Sequence, residues 1–262
     1  MTNHSPPRTA LITGGARGIC RVAARILAEG GIRIAIVDRE PADESVRLIE
    51  EVGGAAAFEV ADVSDSDALQ AALSRIDERV GRPDILLYGA GITNHIAPVV
   101  RMTLDGWQRE VAVNLTGAFV TAQHVLPHMV EQRWGRIILI SSVAARGGLQ
   151  RQSAYAASKA GLLGFSQTVA VEHGKDGVTC NAILPGLIAT EVVQAMPDGL
   201  ADGIISRTPI GRTGHMEEVA HLIRFLAGEE AGFITGAEIA IDGGQSLNTI
   251  TLASRRAAAA GH

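Results

Sequence analysis

Arg8-Thr9-Ala10-Leu11-Ile12-Thr13-Gly14-Gly15-Ala16-Arg17-Gly18-Ile19-Cys20 is the stretch whose reading decides the fold. Arg8 to Thr13 is a short run rich in apolar and β-branched residues, and Arg21 to Glu29 reads as a helix. Strand, glycine-rich turn and helix aim backbone N–H groups and a helix N-terminus at one point, which suits a pyrophosphate. The next apolar run, Ile32 to Val37, ends in Asp38. A carboxylate at that strand end can accept both hydroxyls of an adenosine ribose and repels a 2′-phosphate, so NAD is preferred over NADP. Arg39 softens that preference without reversing it, and a turn cap is the competing use of Asp38.

Working outward, the alternation continues. Asp43 to Val52 reads as helix, Ala55 to Val60 as strand, and Asp65 to Val80 as a helix with acidic residues in its first turn, as the helix dipole favours. Ile85 to Tyr88 is a continuously apolar strand, as expected where both sheet faces are covered, and runs into Gly89-Ala90-Gly91. A helix from about Leu104 contains Asn114, and a long one runs from Thr116 to about Gln132. Arg136 to Ile140 leads into Ser141-Ser142, Val178 to Leu184 into Pro185-Gly186, and Ala237 to Ile241 into Asp242-Gly243-Gly244. Strands alternating with helices predict a single α/β domain over 1–262, a doubly wound parallel sheet of about seven strands with helices on both faces.

Between the strand of Arg136 to Ile140 and that of Val178 to Leu184 lie Tyr155 and Lys159, inside an alanine-rich helical run without proline. Four-residue spacing puts both side chains on one helix face. An ammonium beside a phenol stabilises the phenolate and lowers a pKa that starts at about 10, so the tyrosine can exchange a proton with an alcohol or carbonyl oxygen.

Composition narrows the function classes. Net charge is −5 with no long basic run, which argues against nucleic acid and anionic membranes. No apolar stretch approaches a membrane span, and Met1 to Arg8 lacks a signal-peptide core. Cys20 and Cys180 fit a reducing cytoplasm without disulfides. His124 and His128 share the i, i+4 spacing of metal ligands, but no third ligand stands at a sensible spacing and Pro127 suggests a helix end, so no metal is expected. Leu187 to His215, rich in glycine and proline immediately after a strand end, reads as a substrate lid over 187–215. His95, near the crevice mouth, and Gln150, Gln152, Leu149, Met196 and Leu200 are candidate substrate contacts. The alanine-rich tail over 252–262 is expected to fray or lean on a neighbouring subunit.

With these residues assembled, the chain resembles the short-chain dehydrogenase/reductase family from about Thr9 to Gln245. The matching motifs are Thr13-Gly14 with Gly18, Asp62-Val63, Ala90-Gly91, Asn114-Leu115, Ser142, Tyr155 with Lys159, Pro185-Gly186, and the tail from Phe233 to Gly244. The resemblance implies NAD(H)-dependent hydride transfer between nicotinamide and a secondary alcohol or ketone, without a metal. It implies that Tyr155 is the general acid/base, that Lys159 lowers its pKa and holds the nicotinamide ribose, and that Ser142 bonds the substrate oxygen. Asn114 would bind a water that relays protons toward Lys159. Gly14, Arg17, Gly18 and Ile19 would line the pyrophosphate, Asp38 the ribose, and Asp62 and Val63 the adenine. Gly89, Ala90 and Gly91 would border the cofactor, and Pro185, Ile188 and Thr190 would hold its nicotinamide end.

Two departures stand out. Cys20 replaces the third glycine of the family's turn, which is expected to weaken cofactor binding or shift the helix. Tyr88-Gly89 replaces the family's Asn-Asn, removing side-chain bonds that brace this loop. A 3-oxoacyl-thioester reductase acting on carrier-protein or CoA substrates is the rival enzyme; Arg133 fits its basic rim, whereas Asp176 and Asp38 oppose it. A catalytically silent cofactor-binding regulator is the rival of another class, opposed by the intact Asn114, Ser142, Tyr155 and Lys159. The resemblance also implies a homotetramer formed through the helices of 116–132 and 155–173 and through the last strands.

Overall fold

A computed structural model of the chain describes residues 7–196 and 199–247; the 252–262 tail and Pro197 of the expected lid lie outside them. The first half runs β1 (Thr9–Thr13), α1 (Gly18–Glu29), β2 (Arg33–Asp38), α2 (Asp43–Glu51), β3 (Ala56–Val60), α3 (Ser66–Val80) and β4 (Ile85–Tyr88). Helix α4 (Leu104–Val111) then passes through a π-helical turn, Ala112–Thr116, into α5 (Gly117–Glu131). After β5 (Gly135–Ile140) come the short α6 (Ala144–Gly147), the long α7 (Ser153–His173) and β6 (Val178–Pro185). Helices α8 (Glu191–Gln194), α9 (Leu200–Ile205) and α10 (Met216–Leu226) precede β7 (Glu238–Ile241).

The strands form one seven-stranded sheet in the order β3-β2-β1-β4-β5-β6-β7. Every pairing is parallel. Because successive side chains of a strand point to opposite faces, each central strand feeds two cores. Ile12, Ile36, Leu87 and Ile138 pack with Ala23, Leu27, Val219 and Ile223 of α1 and α10 on one face. Leu11, Val37, Leu86 and Leu139 pack with Leu73, Ile76, Val125 and Leu162 of α3, α5 and α7 on the other. Both faces of β1, β4 and β5 are therefore dry, which is why their sequences are apolar without alternation.

Two local readings are revised. Helix α1 begins at Gly18 and not at Arg21, with the extended Arg17 as its N-cap, so the glycine turn leads straight into the first helical turn. Pro127 does not end a helix: α5 continues through it to Glu131. Proline removes one backbone donor, and packing of α5 on α3 and the sheet outweighs that loss. His124 and His128 each face a different carboxylate, Asp77 at 3.1 Å and Asp84 at 3.6 Å.

Candidate active site

The order of the strands reverses between β1 and β4, and the carboxyl ends of parallel strands open a crevice at such a point. It is about 370 Å³ in volume. Gly14, Arg17, Gly18, Ile19 and Asp38 line it from the β1 and β2 side, and Asp62 and Val63 follow after β3. Gly89, Ala90 and Gly91 form its floor after β4, while Ser142, Tyr155, Lys159, Pro185, Ile188 and Thr190 close the far end. Asn114 is fully buried just behind the wall, next to Val113, which lines the crevice.

The glycine turn fits a dinucleotide on steric grounds. Gly14 has φ +72, and a Cβ there would stand 2.8 Å from the Ala90 nitrogen. Gly18 has φ +61 and open space toward the crevice, the nearest atom to its would-be Cβ being 3.8 Å away on Glu191. Helix α1 has neither a side-chain cap nor an acidic first-turn residue, which leaves its N-terminal N–H groups for an anion. The Asp38 carboxylate accepts the Ala16 N–H at 2.9 Å and the Glu40 N–H at 3.1 Å. It is thus turn cap and crevice wall at once.

Asp62 carries a partner the sequence reading missed. Arg109 of α4 donates to Asp62 at 2.5 Å and also bonds the Ser64 hydroxyl. Burial opposes the charge on Asp62, but Arg109 and the Ser64 N–H and hydroxyl outweigh it and hold the carboxyl at about 2. Arg109 lines the crevice one helical turn before Val113, and that shared helix face was the available signal.

At the other end, Ser142 and Tyr155 both line the crevice, and the Ser142 hydroxyl accepts the Ala144 N–H at 3.1 Å. Lys159 is 4 % exposed, and its ammonium donates to the Ile140 carbonyl at 2.8 Å while lying 5.8 Å from the centre of the Tyr155 ring. Burial pushes Lys159 down to about 8, with Cys20 opposing. The expected lowering of Tyr155 is reversed: burial raises it, Ser142 pulls the other way, and the charge of Glu110 adds to the rise. The physical reason is burial, which disfavours the charged phenolate.

Asn114 makes three of the four hydrogen bonds its side-chain amide can make. Its Nδ2 donates to the Ile92 carbonyl and to Ser158 Oγ, each at 3.0 Å, and its Oδ1 accepts the Ile92 N–H at 2.8 Å. Ser158 in turn donates to the Tyr155 carbonyl at 2.8 Å. Asn114 and Tyr155 are thereby linked into one network across the loop after β4, the π-helical turn and α7.

Substrate-side candidates are less well gathered. Gln152 accepts a hydrogen bond from Thr93 at 3.1 Å, and Thr93 lines the crevice. His95, Gln150, Gln152 and Met196 do not themselves form its wall. His95 lies against Gly106 and is held by Glu110, which accepts its backbone N–H at 2.9 Å. Glu110 is 1 % exposed, a buried carboxylate that nothing in the sequence pattern announced. The 187–215 segment is closed at its base by Ala189 N–H to Gly214 and Gly214 N–H to Leu187, both 2.9 Å, and Glu191, Val192 and Val193 add to the crevice wall. Arg133 precedes the first residue of β5 and pairs with Asp176 at 3.3 Å, so it sits at the opposite end of the sheet and not on the crevice rim.

Both departures from the family pattern have a structural counterpart. Cys20 is buried, its thiol pushed up to about 12 by burial and by the charge of Asp38 against that of Lys159, and its sulfur occupies the space above Gly89. Tyr88 is fully buried and its phenol donates to the Val113 carbonyl. The loop after β4 is therefore braced, contrary to the expectation from the missing asparagines.

A family profile described as enoyl-(acyl carrier protein) reductase matches residues 14–246. The cis-4-hydroxycyclohexanecarboxylate dehydrogenase of Sinomonas cyclohexanicum is 36% identical over 238 residues, covering 90% of this chain and 96% of that protein. A 3-oxoacyl-(acyl-carrier-protein) reductase of Thermotoga maritima is 38% identical over 239 residues, covering 90% and 97%. Among solved structures, levodione reductase superposes with a TM-score of 0.88 at 34% identity over 91% of this chain and 97% of its own.

Proposed function

This chain belongs to the short-chain dehydrogenase/reductase family, and from that premise we propose that it is an NAD(H)-dependent enzyme interconverting a secondary alcohol and its ketone. The observation that carries the reading is the meeting of Ser142, Tyr155 and Lys159 in the wall of a crevice that Asp38 also lines. The nicotinamide cofactor, when bound, gives or takes the hydride, so no metal is needed.

The chain's own residues do the rest. Tyr155 holds the proton: with burial raising its pKa, the phenol stays protonated and can donate to the oxygen of a ketone undergoing reduction. In the reverse direction it receives the alcohol proton. Ser142 orients the substrate oxygen toward Tyr155 and stabilises the charge that develops on it. Lys159, protonated below its pKa of about 8, supplies positive charge beside the phenol and holds the nicotinamide ribose. Asn114 fixes the position of α7 through Ser158 and carries the water of the proton relay. Gly14, Arg17, Gly18 and Ile19 receive the pyrophosphate, Asp38 the ribose hydroxyls, Asp62 and Val63 the adenine, and Pro185, Ile188 and Thr190 the nicotinamide end. The 187–215 segment acts as the lid. We place the enzyme in the cytoplasm as a homotetramer.

The thioester-reductase reading retains one support: relatives with that chemistry, including an acetoacetyl-CoA reductase of Shinella zoogloeoides at 38% identity. The test is separate fluorescence titration of NADH and NADPH, followed by NAD⁺-linked oxidation of cis-4-hydroxycyclohexanecarboxylate and NADPH-linked reduction of acetoacetyl-CoA. NADH preference with alcohol oxidation is the expected result. NADPH preference with thioester reduction would transfer the assignment to the second reading.

A further inference from the structure

We propose that Tyr88 is a positioning residue for the proposed acid/base centre, holding the π-helical turn that carries Asn114. The inference rests on the functional reading of Tyr155 and adds a residue to it. In an α-helix the N–H of residue 117 would bond to the carbonyl of residue 113. Here the Gly117 N–H bonds to the Ala112 carbonyl, five residues back. The Val113 carbonyl thereby loses its helical donor inside the protein, where an unpaired carbonyl is costly. The Tyr88 phenol donates to it from the end of β4.

The fit is mutual. A Cβ on Gly117 would stand 2.4 Å from the Tyr88 hydroxyl, so the bare glycine is what admits the phenol. Tyr88 is 0 % exposed and burial pushes its own ionisation up, so it serves as a fixed neutral donor. From the carbonyl it holds, the chain of contacts continues without a gap. Asn114, the next residue, donates to Ser158 Oγ at 3.0 Å, and Ser158 donates to the Tyr155 carbonyl at 2.8 Å. Single π-helical turns inside helices recur at functional sites because they re-aim one residue. In this chain the re-aimed residue is Asn114, and the side chain that stabilises the turn comes from a different layer of the fold.

The test uses the composition of the chain. It contains two tyrosines, Tyr88 and Tyr155, so Tyr88→Phe leaves Tyr155 as the sole phenol, and phenolate absorbance then reports it alone. Tyr155 has Ser142, Glu110 and Lys159 around it, and slackening its backbone weakens the influence of Ser142, the group that pulls its pKa down. Tyr88→Phe is expected to raise the phenolate midpoint by about half a pH unit or more relative to the native enzyme, with NADH affinity held within about twofold. Gly117→Ala, which displaces the phenol without removing it, is expected to reproduce that shift and serves if Tyr88→Phe does not fold. An unchanged midpoint in the folded variant overturns the proposal. A shift accompanied by loss of NADH binding also overturns it, because it would show general loosening. The absorbance comparison reads Tyr155 and not turnover, so it fails separately from the functional reading, which a fully active Tyr155→Phe enzyme would remove.

Discussion

At Gly89 a Cβ would stand 2.1 Å from the Cys20 sulfur and 3.3 Å from the Thr13 carbonyl. Cys20 and Gly89 therefore form a complementary pair, the thiol filling what a side chain on residue 89 would need. Gly89→Ala is expected to cost about 1–3 kcal/mol in denaturant unfolding, as overpacking of a dense core does. Cys20→Gly in the same chain should recover most of it; additive losses in the double-mutant cycle would refute the pairing. At the catalytic centre, Tyr155→Phe should lower turnover by about 10²–10⁴-fold while NADH titrates normally, as loss of a general acid/base does. Lys159 offers a direct pH prediction. Its ordinary value is 10.5 and burial brings it to about 8. Between those values the unfolded chain holds a proton that the native chain has released, so this group makes native stability rise with pH across that window. Lys159 and Lys175 are the only lysines, so ¹³C labelling at lysine Cε should show two titrations, one with a midpoint near 8. Two ordinary midpoints would show that Lys159 is hydrated and not sealed beneath Gly91.

At the scale of elements, the segment between β6 and α10 has its two ends joined at Ile188 and Gly214 and sends Thr190 to Val193 into the crevice wall. As the proposed lid, a loop tied at its base would move as a flap, with α8 and α9 riding on it. Arg207, exposed near the end of α9, is a trypsin site within it. NADH is expected to slow cleavage at Arg207 several-fold as the flap closes on the crevice; an unaltered cleavage rate would separate this segment from cofactor binding. Helices α1 to α5 and α7 were legible in sequence as amphipathic or apolar runs, since periodicity is a local property, whereas α6, α8, α9 and α10 were not read from it. The π-helical turn was not, because it is stabilised by a carbonyl-to-phenol bond from β4 and Ala112–Thr116 has no local signal that distinguishes it from α-helix. Arg109 escaped notice for a related reason: its partner Asp62 follows a different strand.

For the whole molecule, several large apolar side chains stay exposed. Leu104, Phe119 and Val171 are 68%, 48% and 84% exposed on α4, α5 and α7, and the Phe119 and Phe165 rings meet edge to face at 6.3 Å. Phe233, shortly before β7, is fully exposed. These side chains on α4, α5 and α7 and before β7 are the ones the proposed tetramer would cover. Light scattering at micromolar concentration is expected to give four times the chain mass of 27.4 kDa. A monomer would remove the tetramer from the proposed function. No helix among the described residues is long and apolar enough to cross a membrane.

By itself the sequence determined the parallel alternation of strands and helices, the glycine turn with Asp38 at the next strand end, and the order of Asn114, Ser142, Tyr155 and Lys159. These depend on spacing along the chain, where a period of two or of 3.6 residues sets which side chains share a face. Only the tertiary structure decided how the departures from the family pattern are accommodated. Cys20 fits because Gly89 is bare, and Tyr88 braces the loop because the Val113 carbonyl is free to accept its proton. It also decided that Lys159 bonds the Ile140 carbonyl and that Arg133 lies at the far end of the sheet from the crevice. Each of these depends on atoms distant in the chain being packed to within a few tenths of an ångström. That complementarity belongs to the assembled core and is carried by no single segment.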